Sequence, residues 1–303
     1  NAMNTEIEEK MNKMKKYFED KLEEQKVRHE EQKQIIFANM TSITVPPEIT
    51  FISNGLFQNC AQLREVNFPT YIRSFESNAF SGCSSLTQIT IPSTVISIGN
   101  NAFKGCILLS KLIIPPSVTS IGSNAFEGCI SLIRMTIPST VKTFGSSLFE
   151  GCTSLIQVSI LSAISEIKNN TFGGCSSLKQ ISIPSSVNAI RFNAFESCSS
   201  LEQILIPSSV TNIEKSAFMG CSSLIQIEIP SSVASIGENC FERCSKLQHL
   251  TINPYKTHIQ NNSFDKCTSL NHLILSSSIK DIKKHDYTHF GKITEITIPS
   301  SVI

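Results

Sequence analysis

The sequence contains no tryptophan, only four tyrosines and no excess of charge of either sign. With 26 basic and 25 acidic side chains among 303 residues, its net charge of +1 provides no basic field to attract nucleic acid or an anionic membrane surface. No run of about 18 apolar residues occurs, which argues against membrane insertion. The start lacks a short apolar core behind a basic tip, so on this ground we expect no secretion signal and a cytoplasmic location.

Motifs that carry enzyme chemistry are also missing. No Ser-His-Asp elbow, phosphate-binding loop, paired-carboxylate site or zinc hydrolase motif occurs, so the sequence predicts neither an enzyme nor a cofactor. The histidines that could supply a metal site are the pair His249 and His272, which are 23 apart and so stacked neighbours, and His258, His285 and His289, which lie close in sequence beside Asp281 and Asp286. His285 and His289 have an i, i+4 spacing, but no third ligand stands at a fixed distance from them, so we predict no metal site.

What the sequence does contain is a repeat of 23 residues that runs through almost all of it. A phenylalanine column, a cysteine column and a leucine column, the last from Leu63 to Leu270, keep this step. The first two columns are Phe57, Phe80, Phe103, Phe126, Phe149, Phe172, Phe195, Phe218, Phe241 and Phe264, and Cys60, Cys83, Cys106, Cys129, Cys152, Cys175, Cys198, Cys221, Cys244 and Cys267. A fixed period of this length predicts stacked units that bury their apolar faces against the next unit.

One well-formed unit reads AFSGCSSLTQITIPSTVISIG. Ile89 and Ile91 point to one side and Gln88 and Thr90 to the other, which predicts a strand with one buried face. Pro92 ends this strand because proline has no N–H to donate to a ladder. No insertion or deletion interrupts the 23-residue spacing. Solenoids often carry their functional residues on inserted loops, and this sequence offers no such loop.

Ten of the eleven cysteines occupy one repeat column, between an inward phenylalanine and an inward leucine. Neighbouring solenoid turns lie ~4.8 Å apart, so adjacent cysteines approach bonding distance. A free cysteine nevertheless behaves as a small buried hydrophobe, and a line of thiols is not a tetrahedral metal cage. We therefore interpret the column as reduced, buried thiols, and Cys240, which stands where most repeats have alanine, as a further core residue.

Residues 1–36 differ from everything that follows. Asn1 and Ala2, ahead of Met3, are interpreted as a remnant of the expression vector. Residues 4–36 contain no glycine or proline, and nine acidic and eight basic residues are interspersed among good helix formers, which predicts a charged helix. A 4-3-4 spaced apolar seam of Ile7, Met11, Met14 and Phe18 covers only two heptads. Two interpretations stay open: a helix that caps the first repeat, or a helix that forms a homodimeric coiled coil.

The repeat pattern AF-x-GC-x-SL-x-x-I-x-IP-x-SV-x-x-I recurs in ten or more copies over residues 37–303. This pattern resembles the BspA-like, or treponemal-type, leucine-rich repeat. The resemblance implies a right-handed, curved leucine-rich-repeat solenoid of about eleven turns, with a continuous parallel β-sheet on its concave side. It also implies a recognition role, because members are typically surface or adhesion proteins that bind host proteins or other cells.

If the strands stack in register, one outward column of the concave sheet is polar along its length. Within it, Gln157, Gln180, Gln203 and Gln226 are consecutive and predict an amide ladder, which either stabilises the sheet or forms a polar floor for a protein partner. Our candidate ligand-binding residues are Lys111, Arg134, Gln157, Gln180, Gln203, Gln226, His249 and His272. Large aromatic anchors, which are enriched at interface hot spots, are scarce, so we expect weak or multivalent contacts with a protein partner.

A few positions depart from the pattern. Leu161 stands where other repeats have proline, and Lys256 stands in an inward column, where it must reach water or a carboxylate. Ile133, Ile156 and Ile225 follow the strand leucine by one residue, and we predict that they are partly exposed. Two functional hypotheses therefore stand: a surface adhesion or host-interaction protein, as the resemblance implies, or an intracellular scaffold, as the missing signal and reduced thiols favour.

Overall fold

The computed structural model describes residues 16–17, 20–21, 23–25, 36–37, 39–252, 258–275 and 294–297. Its strands are short, and each is written here in chain order. They are β1 Ser42–Thr44, β2 Phe51–Ile52, β3 Glu65–Asn67, β4 Ser74–Phe75, β5 Gln88–Thr90, β6 Ser97–Ile98, β7 Lys111–Ile113, β8 Ser120–Ile121, β9 Arg134–Ile137, β10 Thr143–Phe144, β11 Gln157–Ile160, β12 Glu166–Ile167, β13 Gln180–Ile181, β14 Ala189–Ile190, β15 Asn212–Ile213, β16 Gln226–Ile229, β17 Ser235–Ile236, β18 His249–Ile252, β19 His258–Ile259, β20 His272–Leu275 and β21 Glu295–Thr297.

The strands form two rows, one on each side of a shared core. The first row contains β1, β3, β5, β7, β9, β11, β13, β16, β18, β20 and β21, and the second contains β2, β4, β6, β8, β10, β12, β14, β15, β17 and β19. All pairs are parallel and join residues 23 apart, as Gln157 with Gln180 and His249 with His272. The sequence period therefore sets the register, and the predicted parallel solenoid of 23-residue repeats is confirmed.

The first row is less continuous than the sequence suggested. Its ladder is interrupted between β3 and β5, between β7 and β9, and between β13 and β16. At the last interruption, the turn that carries Gln203 forms no ladder with either neighbour, although its outward and inward residues still alternate. The second row has one interruption, between β10 and β12, next to the repeat in which Leu161 replaces proline.

A continuous phenylalanine stack fills the centre of the solenoid. From Phe57 to Phe264 the rings of successive turns lie face to face, with centroids 5.1–5.8 Å apart and planes inclined by 2–18°. Such offset rings combine a large buried area with favourable quadrupole geometry. At the N-terminal end, Phe37 covers the stack edge-on, 5.8 Å from the Phe57 ring and at 86° to it. Phe37 therefore packs against the first ring of the stack.

The cysteine column lies beside this stack. All eleven thiols are free and buried, Cys240 among them, which confirms their prediction as core residues. From Cys83 onward, each column thiol donates a hydrogen bond to the phenylalanine carbonyl 26 residues earlier, at 3.0–3.3 Å. Burial raises the pKa of the Cys106, Cys152 and Cys221 thiols from 9.0 to about 12. The column is therefore a set of protonated donors that satisfy backbone carbonyls between turns.

Two corners of each turn depend on small or polar residues. At the first corner, which Asn101 occupies in its repeat, asparagine is the commonest residue and adopts φ of 54–59°. Asparagine tolerates this left-handed conformation. At the second, Gly105 has φ of 70°. Gly99 directly precedes the turn that begins at Asn100, and its φ is not positive. A Cβ at Gly99 would lie 2.5 Å from the Glu76 carbonyl carbon. Gly99 is therefore required by the close approach of two turns.

The described residues of the N-terminal segment, among them Lys21 and Glu24, are helical. These two side chains form an exposed i, i+3 ion pair of 2.8 Å. The seam residues Ile7, Met11, Met14 and Phe18 lie outside the described residues, as do Lys256, His285, His289, Asp281 and Asp286. The choice between a cap and a dimerising helix stays a prediction. Within the described part of the chain, no helix is both long and apolar enough to cross a bilayer.

Candidate interaction surface on the first strand row

The outward residues of the first strand row form one extended surface. In β3, β5, β7, β9 and β16 the first and third residues are exposed and the second is buried, as in Gln88, Ile89 and Thr90. Over β11 to β20 this surface encloses an open groove of about 1120 Å³, which we call the strand-face groove. A smaller hollow of about 420 Å³ lies over β3 and β5 on the same side. The first row is therefore the indented face, as the predicted concave sheet requires.

The structure places all eight candidate residues on this face. Six of them line the strand-face groove: Gln157, Gln180, Gln203, Gln226, His249 and His272. The four glutamines are exposed, whereas the two histidines are half-buried at one end. Lys111 and Arg134 are exposed on β7 and β9, where they follow the same column beyond the groove. The column is thus divided into a groove floor and a small basic area next to it.

The glutamine side chains do not form the expected amide ladder. Gln157 and Gln180 lie opposite each other in the register of β11 and β13, yet their amides are not hydrogen-bonded to each other. Among the described residues, none of the four glutamine side chains has a hydrogen-bond partner in the protein. The amides do not hold the sheet together; they present donors and acceptors to the groove.

Two apolar side chains within the groove lie outside the set of eight candidate residues. Leu205, which the sequence analysis missed, is 77% exposed and lines the groove in the turn that carries Gln203. Leu161, which the sequence marked as a departure from the pattern, is 62% exposed and lines the groove as well. Leu205 occupies an outward column in which threonine and serine predominate. The presence of a leucine in a mostly polar outward column was the sequence signal that could have identified Leu205 as a candidate. Ile133, Ile156 and Ile225 are 38–47% exposed, which confirms the prediction of partial exposure.

The charges that line the groove are few and of both signs. Lys179 lies beside Glu202 and Glu228 among the lining residues. This composition, with free amides and exposed leucines, gives a nearly neutral surface that combines hydrogen bonding with apolar contact. Protein interfaces have this mixed character, whereas nucleic-acid sites are strongly basic.

The strongest cluster of charges lies on the second strand row, away from the groove. Arg191 contacts Glu166 through Nε and Glu214 through Nη1, the latter at 2.7 Å, and Lys168 contacts Glu166 as well. The hydrogen bond from Lys168, together with that from Arg191, holds the pKa of the Glu166 carboxyl below its ordinary value. Arg191 and Lys168 are more than a third exposed, so these pairs contribute modestly. The cluster joins three successive turns and is structural.

Comparisons with known proteins agree with this architecture. A leucine-rich repeat protein from Bacteroides ovatus is 30% identical to the chain, with a TM-score of 0.77, over 86% of this chain and 70% of that one. A leucine-rich cell surface protein from Faecalibacterium prausnitzii is 26% identical, with a TM-score of 0.47, over 85% and 87%. The pneumococcal vaccine antigen PcpA is 24% identical, with a TM-score of 0.55, over 86% and 73%. The comparison with curated proteins found no match.

The family model for the BspA type leucine-rich repeat region matches residues 32–106, 74–202 and 188–303. These three matches overlap, so the model covers the repeats from end to end. The fold is one that is typical of non-enzymatic binding modules. By its repeat sequence, its parallel solenoid and this match, the chain belongs to the BspA-type leucine-rich-repeat family.

Proposed function

We propose that the chain recognises a protein partner through the strand-face groove. The observation that carries this proposal is the set of glutamine amides at the groove floor, which have no protein hydrogen-bond partner among the described residues, beside Leu205 at 77% exposure. A partner that covers this floor gains hydrogen bonds to the amides and buries the leucine. Because no tryptophan or tyrosine is found among the described residues that line the groove, affinity comes from many modest contacts rather than from aromatic anchors.

We further propose that this recognition serves surface adhesion or host interaction, in line with what the family resemblance implies. The test is the location of the native protein, by antibody staining of intact and permeabilised cells and by protease shaving of intact cells. Staining and cleavage on intact cells support the adhesion role. Staining only after permeabilisation contradicts it and leaves the groove as the site of a cytoplasmic interaction.

A second candidate, an intracellular scaffold, is favoured by the state of the thiols. Eleven free cysteines lie in the described part of the chain, and none of them is paired in a disulfide. Disulfides are typical of oxidising compartments, and free thiols persist where the cell keeps them reduced. Burial protects these thiols in either compartment, so the location experiment decides between the two candidates.

The groove itself is tested by a charge placed at its centre. The partner is first captured by a photo-crosslinking residue at position 205, and its affinity is then measured by calorimetry. We expect a Leu205→Lys variant to bind the partner at least about tenfold more weakly, because a buried, unpaired ammonium is costly and the leucine contact is lost. Stability should be unchanged because the side chain is exposed.

The matched control is Ile113→Lys. Ile113 occupies the same outward column on β7, is 82% exposed and lies outside the groove. Its variant should bind within about twofold of the unmodified chain, as expected for a surface change away from the contact. If both variants bind the partner equally well, or if only the Ile113→Lys variant loses affinity, the strand-face groove is not the binding site.

A further inference from the structure

Two histidines meet at one end of the strand-face groove in a geometry that the proposed protein recognition does not use. The parallel pairing of β18 with β20 sets His249 opposite His272. Their rings lie 5.4 Å apart between centroids at 73° to each other, and their Nδ1 atoms face each other at 3.3 Å. Both side chains are half-buried and line the groove. Two imidazole nitrogens thus converge on one point that solvent can reach.

The ring of His272 is oriented by a second contact. Its Nε2 lies 3.0 Å from the Thr297 Oγ1 on β21. When Nε2 carries the proton and donates to this hydroxyl, Nδ1 carries the lone pair that faces His249. A metal-binding histidine almost always donates its other ring N–H to a fixed acceptor, which sets its tautomer and orientation. Thr297 supplies an acceptor of that kind to His272.

The distance between the two Nδ1 atoms matches that of two ligands on a single metal ion. Zinc binds imidazole nitrogen at ~2.0–2.1 Å in tetrahedral geometry, which separates two ligand nitrogens by about 3.3–3.4 Å. The observed 3.3 Å therefore allows both nitrogens to bind one ion without movement of the strands. In the absence of metal, the same distance fits an N–H···N hydrogen bond in which Nδ1 of His249 carries the proton. When the ion binds, His249 takes its other tautomer, with the proton on Nε2, and the two rings turn so that both Nδ1 lone pairs point at the ion.

We propose that His249 and His272 form a two-ligand chelate for a divalent transition-metal ion, with Zn²⁺ as the reference case. Imidazole is a preferred ligand of zinc, copper and nickel. Glu295 lies opposite His272 in the register of β20 and β21. Its carboxylate adds negative charge next to His272, which favours a cation over a neutral ligand.

The remaining coordination positions face the groove. In the part of the chain that the structure describes, no group of three or more histidine, cysteine, aspartate or glutamate side chains is arranged to hold a metal ion. Water or a carboxylate or imidazole of a molecule bound in the groove completes the coordination. The chelate is a property of this chain alone, so it can be tested without the protein partner.

The test is Zn²⁺ binding to the whole chain, measured by calorimetry with the metal alone. The informative variants are His249→Gln and His272→Gln, because glutamine occupies the same column in the four preceding turns and therefore fits the strand face. We expect the unmodified chain to bind one Zn²⁺ at this site and each variant to lose it. The matched control is His258→Gln on β19 of the second strand row, which should retain the site.

Two further measurements separate the chelate from other causes. Loss of the Thr297 hydroxyl in a Thr297→Val variant should weaken Zn²⁺ binding about tenfold, because it removes the acceptor that orients His272. Visible spectra with Co²⁺ should show nitrogen and oxygen ligands without thiolate charge-transfer bands, since the cysteines are buried. No Zn²⁺ binding by the unmodified chain, undiminished binding by the His249→Gln variant, or thiolate bands that account for the metal would each overturn the proposal.

Discussion

Raising the pH from 8 to 10 is expected to unfold the solenoid, with a steep and cooperative loss of stability. The cause is the set of buried cysteines, ten of which have a raised thiol pKa. Burial raises the pKa of nine of them: Cys60, Cys83, Cys106, Cys129, Cys152, Cys175, Cys198, Cys221 and Cys240. The pKa of Cys244 is raised first by its hydrogen bond with the Cys267 thiol and then by burial. Because they share one environment, they respond to pH together.

The direction of the effect follows from which state holds the protons. Below pH 9 the thiols are protonated in both states, and their contribution to stability is fully present. Above the ordinary value of 9.0 the unfolded chain releases protons, whereas folded Cys106 keeps its own until the pH approaches its pKa of about 12. Unfolding then releases protons, so the free energy of unfolding falls as the pH rises through this window.

The magnitude is large because many thiols act at once. One thiol loses about 1.4 kcal/mol for each pH unit above its unfolded pKa. Ten thiols together lose on the order of 10 kcal/mol by pH 10, which is comparable to the whole stability of a typical domain. Urea unfolding followed by circular dichroism at pH 7.5, 8.5, 9 and 9.5 measures the slope directly.

A Cys129→Ala variant is the control for the origin of this slope. Its stability at pH 7.5 will be lower, but the number of protons released on unfolding above pH 9 should fall by about one. Repeating the series at high salt separates surface charge, which salt screens, from buried thiols, which it does not. A free energy of unfolding that stays constant between pH 7.5 and 9.5 would contradict the prediction.

Replacing Phe149 with alanine is expected to lower the free energy of unfolding by about 3–5 kcal/mol, the usual cost of a phenylalanine-to-alanine change in a core. Phe149 is fully buried, with the rings of Phe126 and Phe172 centred 5.6 and 5.8 Å away. Its removal leaves a cavity in the middle of the stack. Because each repeat contacts only its neighbours, the defect also weakens the coupling between the two halves of the solenoid.

Urea unfolding at pH 7.5 measures this effect, with Phe192→Ala as the matched control. Phe192 is 39% exposed and lies outside the phenylalanine stack, so its removal should cost less than about 1 kcal/mol. The Phe149→Ala variant should also show a broader transition, or two transitions, as the halves lose their coupling. A loss for Phe149→Ala no larger than that for Phe192→Ala would mean that the stack does not hold the turns together.

Much of the fold could be read from the period alone. Because side chains repeat every 23 residues, one register satisfies every turn, and the phenylalanine, cysteine and leucine columns must share the core. The outward placement of Gln157 or Gln180 follows from the alternation of a strand with one buried face. The close packing between turns that excludes a side chain at Gly99 could not be read from the period.

The candidate site was predictable in position but not in chemistry. The sequence placed the glutamines on one face. The same positions are compatible with two side-chain arrangements, an amide ladder and a set of free amides, so position alone does not distinguish them. Only side-chain rotamers decide between them, and rotamers depend on the local separation of the turns. Leu205 was passed over because an isolated exposed leucine is ordinary in a sequence. It gains importance only when the groove places it among unpartnered amides.

The sequence by itself determined the class of fold, the register, the composition of the core and which residues face outward on the first strand row. These features depend on periodicity, because the same residue type recurs at the same position of every turn and packs against its counterpart in the next turn. The tertiary structure alone decided where the strand-face groove lies, which hydrogen bonds its side chains leave unmade, and that the Nδ1 atoms of His249 and His272 meet at 3.3 Å. Those features depend on interruptions in the ladder and on single rotamers, which a periodic pattern does not encode.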